Sequence, residues 1–352
     1  MCGIIGYIGN GDASSIVTEG LKKLEYRGYD SWGVAYITGA GMESIKKVGK
    51  ISEFNGKLAE THICIGHSRW STHGAVTIEN AHPQFSSDGK TAVIHNGIIE
   101  NHSELKKQLE EHGYKFASDT DTEVVVHMID DCMKQGKTFK DATLDCLNRL
   151  QGSFALVILN SDEKKIISAR MNSPLVIGVD GNNYYTASDY TSFLNHTQNI
   201  IFLENKEMAI LGDKLEFYNY ETGEPIEKKT EKIELSLESA EKGNYKHFMF
   251  KEIMEQPVAI KNTLNNMIDG FDLKIDILDE KTIENINRVV ILACGTSWHA
   301  ALVGEYFIEK LSGIPVEVEY ASEFRYKDPI LNEKTLCIAI SQSGETADTL
   351  AA

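Results

Sequence analysis

Two fold classes are predicted within one chain, α+β followed by α/β. The first is a domain built mainly of strands, and the second is an open domain on a parallel sheet. Three observations predict them. Residues 1–235 read as short apolar β-type runs with a few helices between them. A polar, charged stretch, ETGEPIEKKTEKIELSLESAEKGNYK, interrupts the pattern at 221–246. Beyond it the order becomes strand, helix, strand, and strand running into helix, the order of a parallel sheet. We therefore expect a first domain at 1–220, a linker at 221–246 and a second domain at 247–352. A chain of 352 residues suits two domains, each able to bury its own core.

CGIIGYI and WGVAYI are short strands. Between them Ile16, Val17, Leu21 and Leu24 recur at helical spacing, with Gly28 as the stop. HICIGHSRW, TAVIHNGII, FALVILN, KIISAR, PLVIGV and NNYYTAS read as further strands. Helices are expected near 102–112 and 121–135, and Thr120 and Glu123 stand at capping-box spacing before the second. KHFMFKEIMEQPVAIKNTLNNMI reads as helical, with Pro257 near a helix boundary or start. RVVILACGTS, a helix near 297–311, IPVEVEY and TLCIAISQSGETADTL complete the second domain. The chain stops at Ala352 within the first turns of a helix, so that domain is expected to be incomplete.

Composition narrows the function. A net charge of −17 disfavours binding of nucleic acid by a general basic surface. No secretory signal is visible, and no stretch approaches the roughly 20 apolar residues that span a bilayer. The six cysteines, Cys2, Cys64, Cys132, Cys146, Cys294 and Cys337, are dispersed without a C-x-x-C pair. Neither a structural metal site nor a disulfide framework is indicated, and a reducing cytoplasm is the expected compartment.

Cys2 is the first chemical signal. Removal of Met1 leaves a thiol and a free α-amine on one residue, a nucleophile that carries its own base. The competing reading is a small residue packed in the first strand. Arg69, just past a strand in GHSRWSTHG, could clamp a carboxylate or form a surface ion pair. Asn96 and Gly97, at a strand end in HNGIIEN, could form an oxyanion hole or an ordinary Asn-Gly turn. Asp121 could hold an ammonium or serve as a first-turn acidic residue.

MCGIIGYIG, LEYRGYDSWG, GHSRWSTHG, NAHP, HNGIIENH and SDTDTEV occur in this order at domain-scale spacing. Together they resemble the glutaminase domain of the class II amidotransferases. The resemblance implies an N-terminal-nucleophile hydrolase fold, a four-layer αββα sandwich with two mainly antiparallel sheets. It also implies roles. Cys2 attacks the side-chain amide of L-glutamine, and Asn96 with the Gly97 N–H holds the oxyanion. Arg69 binds the glutamine carboxylate and Asp121 its ammonium. Trp70, Thr72 and His73 belong to a covering loop, while Tyr29, Asp30 and His82 support the site.

A second constellation follows the linker. ACGTS and SQSGET each follow an apolar strand and precede a helix, which suits an anion held by hydroxyls and free N–H groups, or simple helix capping. ILACGTS and SQSGETADT resemble the first half of a sugar isomerase (SIS) domain, and YKHFMFKEIMEQP resembles the joining segment of the glucosamine-6-phosphate synthase family. That likeness implies that Ser297, Ser341, Gln342, Ser343 and Thr346 contact the phosphate of fructose 6-phosphate, and that Cys294 is structural. No cofactor, no metal and no nucleic-acid or membrane partner is expected, and the likeness implies a homodimer at full length. The glutamate, histidine and lysine that perform the family's sugar chemistry have no counterparts here, so glutamine hydrolysis alone is expected of this chain.

No S-G-G-x-D-S loop of the asparagine synthetase kind is present, and SQSGET argues against a phosphoribosyltransferase partner. Two other readings compete. One is a phosphosugar-binding module with a vestigial glutaminase, which the intact Cys2, Arg69, Asn96, Gly97 and Asp121 disfavour. The other is a chain silenced by misfolding of its second domain, whose VVILAC and LCIAI strand edges would be exposed.

Overall fold

In a computed structural model, residues 2–71, 74–233, 245–269, 272–273, 278–342, 344 and 346–352 are described. They form two compact units, Met1–Ala240 and Glu241–Ala352. Thr72, His73 and Ser343, expected at the two sites, lie outside the described residues.

The first unit begins β1 (Gly3–Ile8), α1 (Ala13–Leu24), β2 (Ser31–Thr38), β3 (Gly41–Val48) and β4 (Ile63–Arg69). It continues β5 (Gln84–Phe85), β6 (Thr91–Ile99), α2 (His102–Glu111), α3 (Glu123–Lys134) and α4 (Phe139–Leu147). Strands β7 (Gly152–Asn160), β8 (Lys165–Met171), β9 (Val176–Asp180) and β10 (Asn183–Ala187) follow. It closes with β11 (Asn199–Phe202), β12 (Glu207–Leu211), β13 (Leu215–Asn219) and β14 (Glu231–Lys232).

These strands make two antiparallel sheets. One has eight strands in the order β14-β11-β9-β10-β1-β4-β2-β3, and the other six in the order β13-β12-β8-β7-β6-β5. The sheets face each other across an apolar layer that includes Ile4, Ile65, Ile94, Val157 and Ile177. Helix α1 covers the outer face of the larger sheet through Val17, Leu21 and Leu24. Helices α2, α3 and α4 cover the smaller sheet through Leu105, Val125, Ile129 and Phe139. The result is the four-layer αββα sandwich with two antiparallel sheets. Strand periodicity assigns each residue its layer. On β4, Ile63 and Ile65 enter the inter-sheet core while Cys64 between them faces the helix layer.

Several elements depart from the sequence reading. Strands β3, β11, β12 and β13 and helix α4 were not anticipated. β3 is a half-exposed edge strand, so its GMESIKKV has no apolar run to announce it. Helix α3 starts at Glu123, and Thr120 does not cap it. The Thr120 hydroxyl bonds Ser118 instead, because the Glu123 carboxylate turns back to the chain before the helix. Residues 225–233 of the expected linker pack on the first unit. β14 pairs with β11, Ile226 adds to the inter-sheet core, and Lys228 Nζ meets Glu207 Oε2 at 2.8 Å. The charge of this segment hid its few apolar anchors.

The second unit contains α5 (Phe248–Met267), the short pair β15 (Ile268–Asp269) and β16 (Asp272–Leu273), and α6 (Glu280–Asn285). Next come β17 (Arg288–Ala293), α7 (Gly295–Ser312), β18 (Val316–Tyr320), α8 (Ala321–Phe324), β19 (Thr335–Ile340) and α9 (Ala347–Ala351). Pro257 lies inside α5 and not at its boundary. The helix therefore continues without the N–H that Pro257 lacks. Strands β18, β17 and β19 form a parallel sheet with β17 central. Val289, Ile291, Ala301 and Val316 make its core with α7, and Cys294 packs near Val290, Leu292 and Phe324. No helix among the described residues is long and apolar enough to cross a membrane.

Candidate active site

Cys2 precedes β1, which pairs with β4 and β10 in the larger sheet. Its carbonyl accepts hydrogen bonds from Asn96 Nδ2 at 3.0 Å and from Arg27 Nε at 3.2 Å. Its Sγ receives the Trp70 N–H at 3.1 Å and lies 3.3 Å from the Trp70 carbonyl. Burial pushes the thiol up, against the lowering pull of the Trp70 N–H and of the Arg69 and Arg27 charges. Cys2 therefore rests as a thiol, and a base must take its proton before it can attack.

The expected oxyanion pair comes from the smaller sheet. Asn96 and Gly97 lie inside β6, whose pairing with β7 continues to Ile99 opposite Gly152. They are neither a strand end nor a hairpin turn. Gly97 takes φ +128°, and a Cβ there would collide with the Ser153 carbonyl. That backbone excludes any other residue. Asn96 is buried, with Nδ2 toward Cys2 and Oδ1 3.0 Å from His67 Nε2.

Arg69 is the last residue of β4 rather than just past it, and it is only 3% exposed. A surface ion pair is thereby ruled out. Its NH1 donates to the Ala75 carbonyl at 3.1 Å and its NH2 to the Gly74 carbonyl at 3.4 Å. The carboxylates of Asp30 and Asp121 favour a guanidinium charge that burial otherwise disfavours. Asp121 is also buried, and its Oδ2 accepts the Ile99 N–H at 2.7 Å. It sits before α3 rather than in its first turn.

The supporting residues converge on the same place. Asp30 Oδ2 accepts the Ser71 N–H at 2.9 Å, and the Tyr29 ring meets Trp70 edge-on at 5.4 Å. Gly28 lets the 25–30 turn lie against the chain after β4, since a Cβ there would be 2.7 Å from Trp70 N. His82 Nε2 and His95 Nδ1 both reach the Thr122 hydroxyl, at 2.8 Å and 2.9 Å.

Sequence reasoning missed His67, Asn80, His95 and Thr122, and took Glu123 only as a helix cap. Asn80 ties two loops together: its Nδ2 donates to Ala75 O at 3.1 Å and its Oδ1 accepts the Asp119 N–H at 2.8 Å. Glu123 accepts the N–H groups of Ala117 and Ser118 at 2.8 Å and 2.7 Å, fixing the loop that carries Asp121. The only available signal was their position inside the quoted motifs, where each alternates with or flanks a residue already singled out.

In the second unit, the ACGTS and SQSGET loops leave β17 and β19 at their carboxyl ends, where Ala293 and Ile340 are in register. Ser297 lies in the first turn of α7. The Ser341 hydroxyl accepts the Gly344 N–H at 3.0 Å and lies 3.2 Å from the Thr346 hydroxyl. Gln342 is exposed beside them. Among the described residues no group of three or more His, Cys, Asp or Glu is placed to hold a metal ion.

Residues 67–195 match the glutamine amidotransferase domain family and residues 282–352 the SIS domain family. Over its whole length the chain is 47% identical to the glutamine–fructose-6-phosphate aminotransferase [isomerizing] of Clostridium acetobutylicum, of which it spans 59%. It is also 47% identical to the protein of the same name from Methanosarcina acetivorans, of which it spans 60%. Among solved structures, glutamine phosphoribosylpyrophosphate amidotransferase from B. subtilis matches 90% of this chain and 65% of its own, with a TM-score of 0.52 at 26% identity. By its two domain matches and these likenesses along its whole length, the chain is similar to the isomerising glutamine–fructose-6-phosphate aminotransferases, of which it spans about three fifths.

Proposed function

We propose that this chain hydrolyses glutamine to supply ammonia for the conversion of fructose 6-phosphate to glucosamine 6-phosphate, in amino-sugar biosynthesis. The chain spans about 59% of the relatives it matches, and glutamine hydrolysis is the part of that activity we assign to it. The observation that carries the reading is the meeting of Cys2 with Asn96, from opposite sheets, beside buried Arg69 and Asp121.

The chemistry follows from these groups. With Met1 removed, the Cys2 amine takes the thiol proton while Sγ attacks the amide carbon of the glutamine side chain. The C=O electrons move onto oxygen, where Asn96 Nδ2 and the Gly97 N–H receive the charge. Collapse breaks the C–N bond, and the amine returns the proton to the leaving nitrogen as ammonia. Water then cleaves the γ-glutamyl thioester, releasing glutamate and restoring the thiol. Arg69 would pair with the substrate carboxylate and Asp121 with its ammonium. Trp70, Thr72 and His73 would cover the bound substrate and keep water from the thioester until ammonia has left.

In the second unit, Ser297, Ser341, Gln342, Ser343 and Thr346 would hold the phosphate of fructose 6-phosphate. Hydroxyls and free N–H groups at the carboxyl ends of adjacent parallel strands favour that ligand. A cytoplasmic location and a homodimer at full length belong to the same proposal.

The test is glutamate release by the purified chain, with Met1 removal scored by intact mass and Cys2→Ala beside it. Release that requires Cys2, in proportion to the Met1-free fraction, is the expected result. Folded, Met1-free protein that releases no glutamate overturns the reading and leaves a phosphosugar-binding module in its place.

A further inference from the structure

We infer that His67 is a positioning residue for the oxyanion donor, holding the Asn96 carboxamide in the one orientation that presents its N–H toward the substrate. The inference rests on the glutaminase reading above.

Geometry fixes the orientation from both ends. The Cys2 carbonyl can only accept, so the amide atom 3.0 Å from it must be Nδ2. Oδ1 is then the atom facing His67 Nε2 at 3.0 Å, and an oxygen there needs a donor. His67 must carry its proton on Nε2, which leaves Nδ1 as a bare lone pair. Among the described residues that atom is buried and makes no hydrogen bond, which agrees with a proton on Nε2 rather than on Nδ1. The opposite tautomer would favour a flipped amide and press Oδ1 against the Cys2 carbonyl.

The surroundings keep His67 neutral. Its residue is fully buried, its ring lies 4.5 Å from that of His82, and among the described residues no carboxylate bonds it. Burial, with the His95 ring and the Arg69 charge nearby, pushes its imidazole down to about 3 even though the Asn96 bond and, less strongly, the His95 backbone pull it up. The ring is therefore neutral near pH 7, and the Asn96 contact is what places its single proton on Nε2. β4 explains why one strand can do this and bind substrate too. His67 and Arg69 are two residues apart, so both point into the space between the sheets, toward Asn96 and toward the proposed carboxylate site.

The test uses the full chain and two substitutions, His67→Gln and His67→Leu. Gln keeps a donor for Asn96 Oδ1, and Leu keeps only bulk. Leu should lower kcat for glutamine hydrolysis by roughly 10- to 100-fold with KM within about 3-fold, since a free carboxamide loses part of an oxyanion donor's effect. Gln should recover most of that loss. Nitrogen-15 NMR of the wild-type imidazoles, which needs no activity, should show His67 neutral with the proton on Nε2 from pH 5.5 to pH 8. A proton on Nδ1, or a folded Leu variant with wild-type kcat, overturns the inference. Equal damage from Gln and Leu, matched by equal loss of thermal stability, also overturns it, because that is a packing role. Wild-type protein inert toward glutamine overturns the underlying reading instead, while the NMR result still decides the tautomer.

Discussion

Asn96 Nδ2 reaches the Cys2 carbonyl at 3.0 Å across the gap between the two sheets. The proposed nucleophile and the proposed oxyanion donor thus come from opposite halves of the sandwich, and packing of the inter-sheet core sets their separation. Asn96→Ala should lower kcat for glutamine hydrolysis by about 100- to 1,000-fold while KM changes little. Asn96→Asp should be at least as damaging, since a carboxylate has no N–H and would face the Cys2 carbonyl with another oxygen. Steady-state kinetics of both variants, with circular dichroism to show folding, checks this.

Arg69 combines two tasks. It holds the Gly74 and Ala75 carbonyls and is proposed to clamp the substrate carboxylate. Lysine keeps the charge but loses the planar fork. Arg69→Lys should lower kcat/KM for glutamine by about 10- to 100-fold, mainly through KM. An analogue without the α-carboxylate separates the two tasks. The variant should match wild type on it if the clamp is what was lost, and fall equally on both substrates if the loop was.

Gly97 tests the backbone rather than a side chain. Its φ of +128° and the Ser153 carbonyl beside it leave no room for a methyl group. Gly97→Ala should cost about 1–3 kcal/mol from the dihedral alone, and more from the collision. A melting temperature lower by at least several degrees, measured by calorimetry, is the expected result. Glutaminase activity should fall further than stability does, because the displaced N–H is the second proposed oxyanion donor.

How much of this was legible in the sequence depended on what each residue answers to. The αββα sandwich was legible because six motifs occur in order, and the same motifs named Cys2, Arg69, Asn96 and Asp121 as the candidate site. His67 and His95 were not, although they sit within those motifs. Their hydrogen-bond partners lie 29 and 27 residues away in sequence, at Asn96 and Thr122, and pairing of this kind has no local period. The edge strand β3 was lost for a related reason. Its residues are half-exposed and mixed in polarity, so neither face is marked by an apolar run. Glu123 was read as a cap because capping-box spacing is a local signal. The structure instead spends its carboxylate on the preceding loop, a choice made by tertiary packing.

That carboxylate gives the pH prediction. Burial alone would raise Glu123, but bonds from His127 and Ser118 and from the N–H groups of Ala117 and Ser118 outweigh it and hold the group down to about 2. A folded pKa below the ordinary value of 4.5 contributes stability above that value, and the contribution is lost as pH falls toward 2. The difference corresponds to about 3 kcal/mol at neutral pH as an order of magnitude. Glu123→Gln should therefore lower stability in urea by up to about 3 kcal/mol at pH 7, and the gap to wild type should narrow steadily between pH 4.5 and pH 2. Because Glu123 anchors the loop before Asp121, KM for glutamine should rise in the same variant at pH 7, with kcat less affected. Urea titrations across that pH range, with KM measured in parallel, test both halves. A gap that stays constant with pH would mean that the loop is held by packing and that the Glu123 charge contributes nothing.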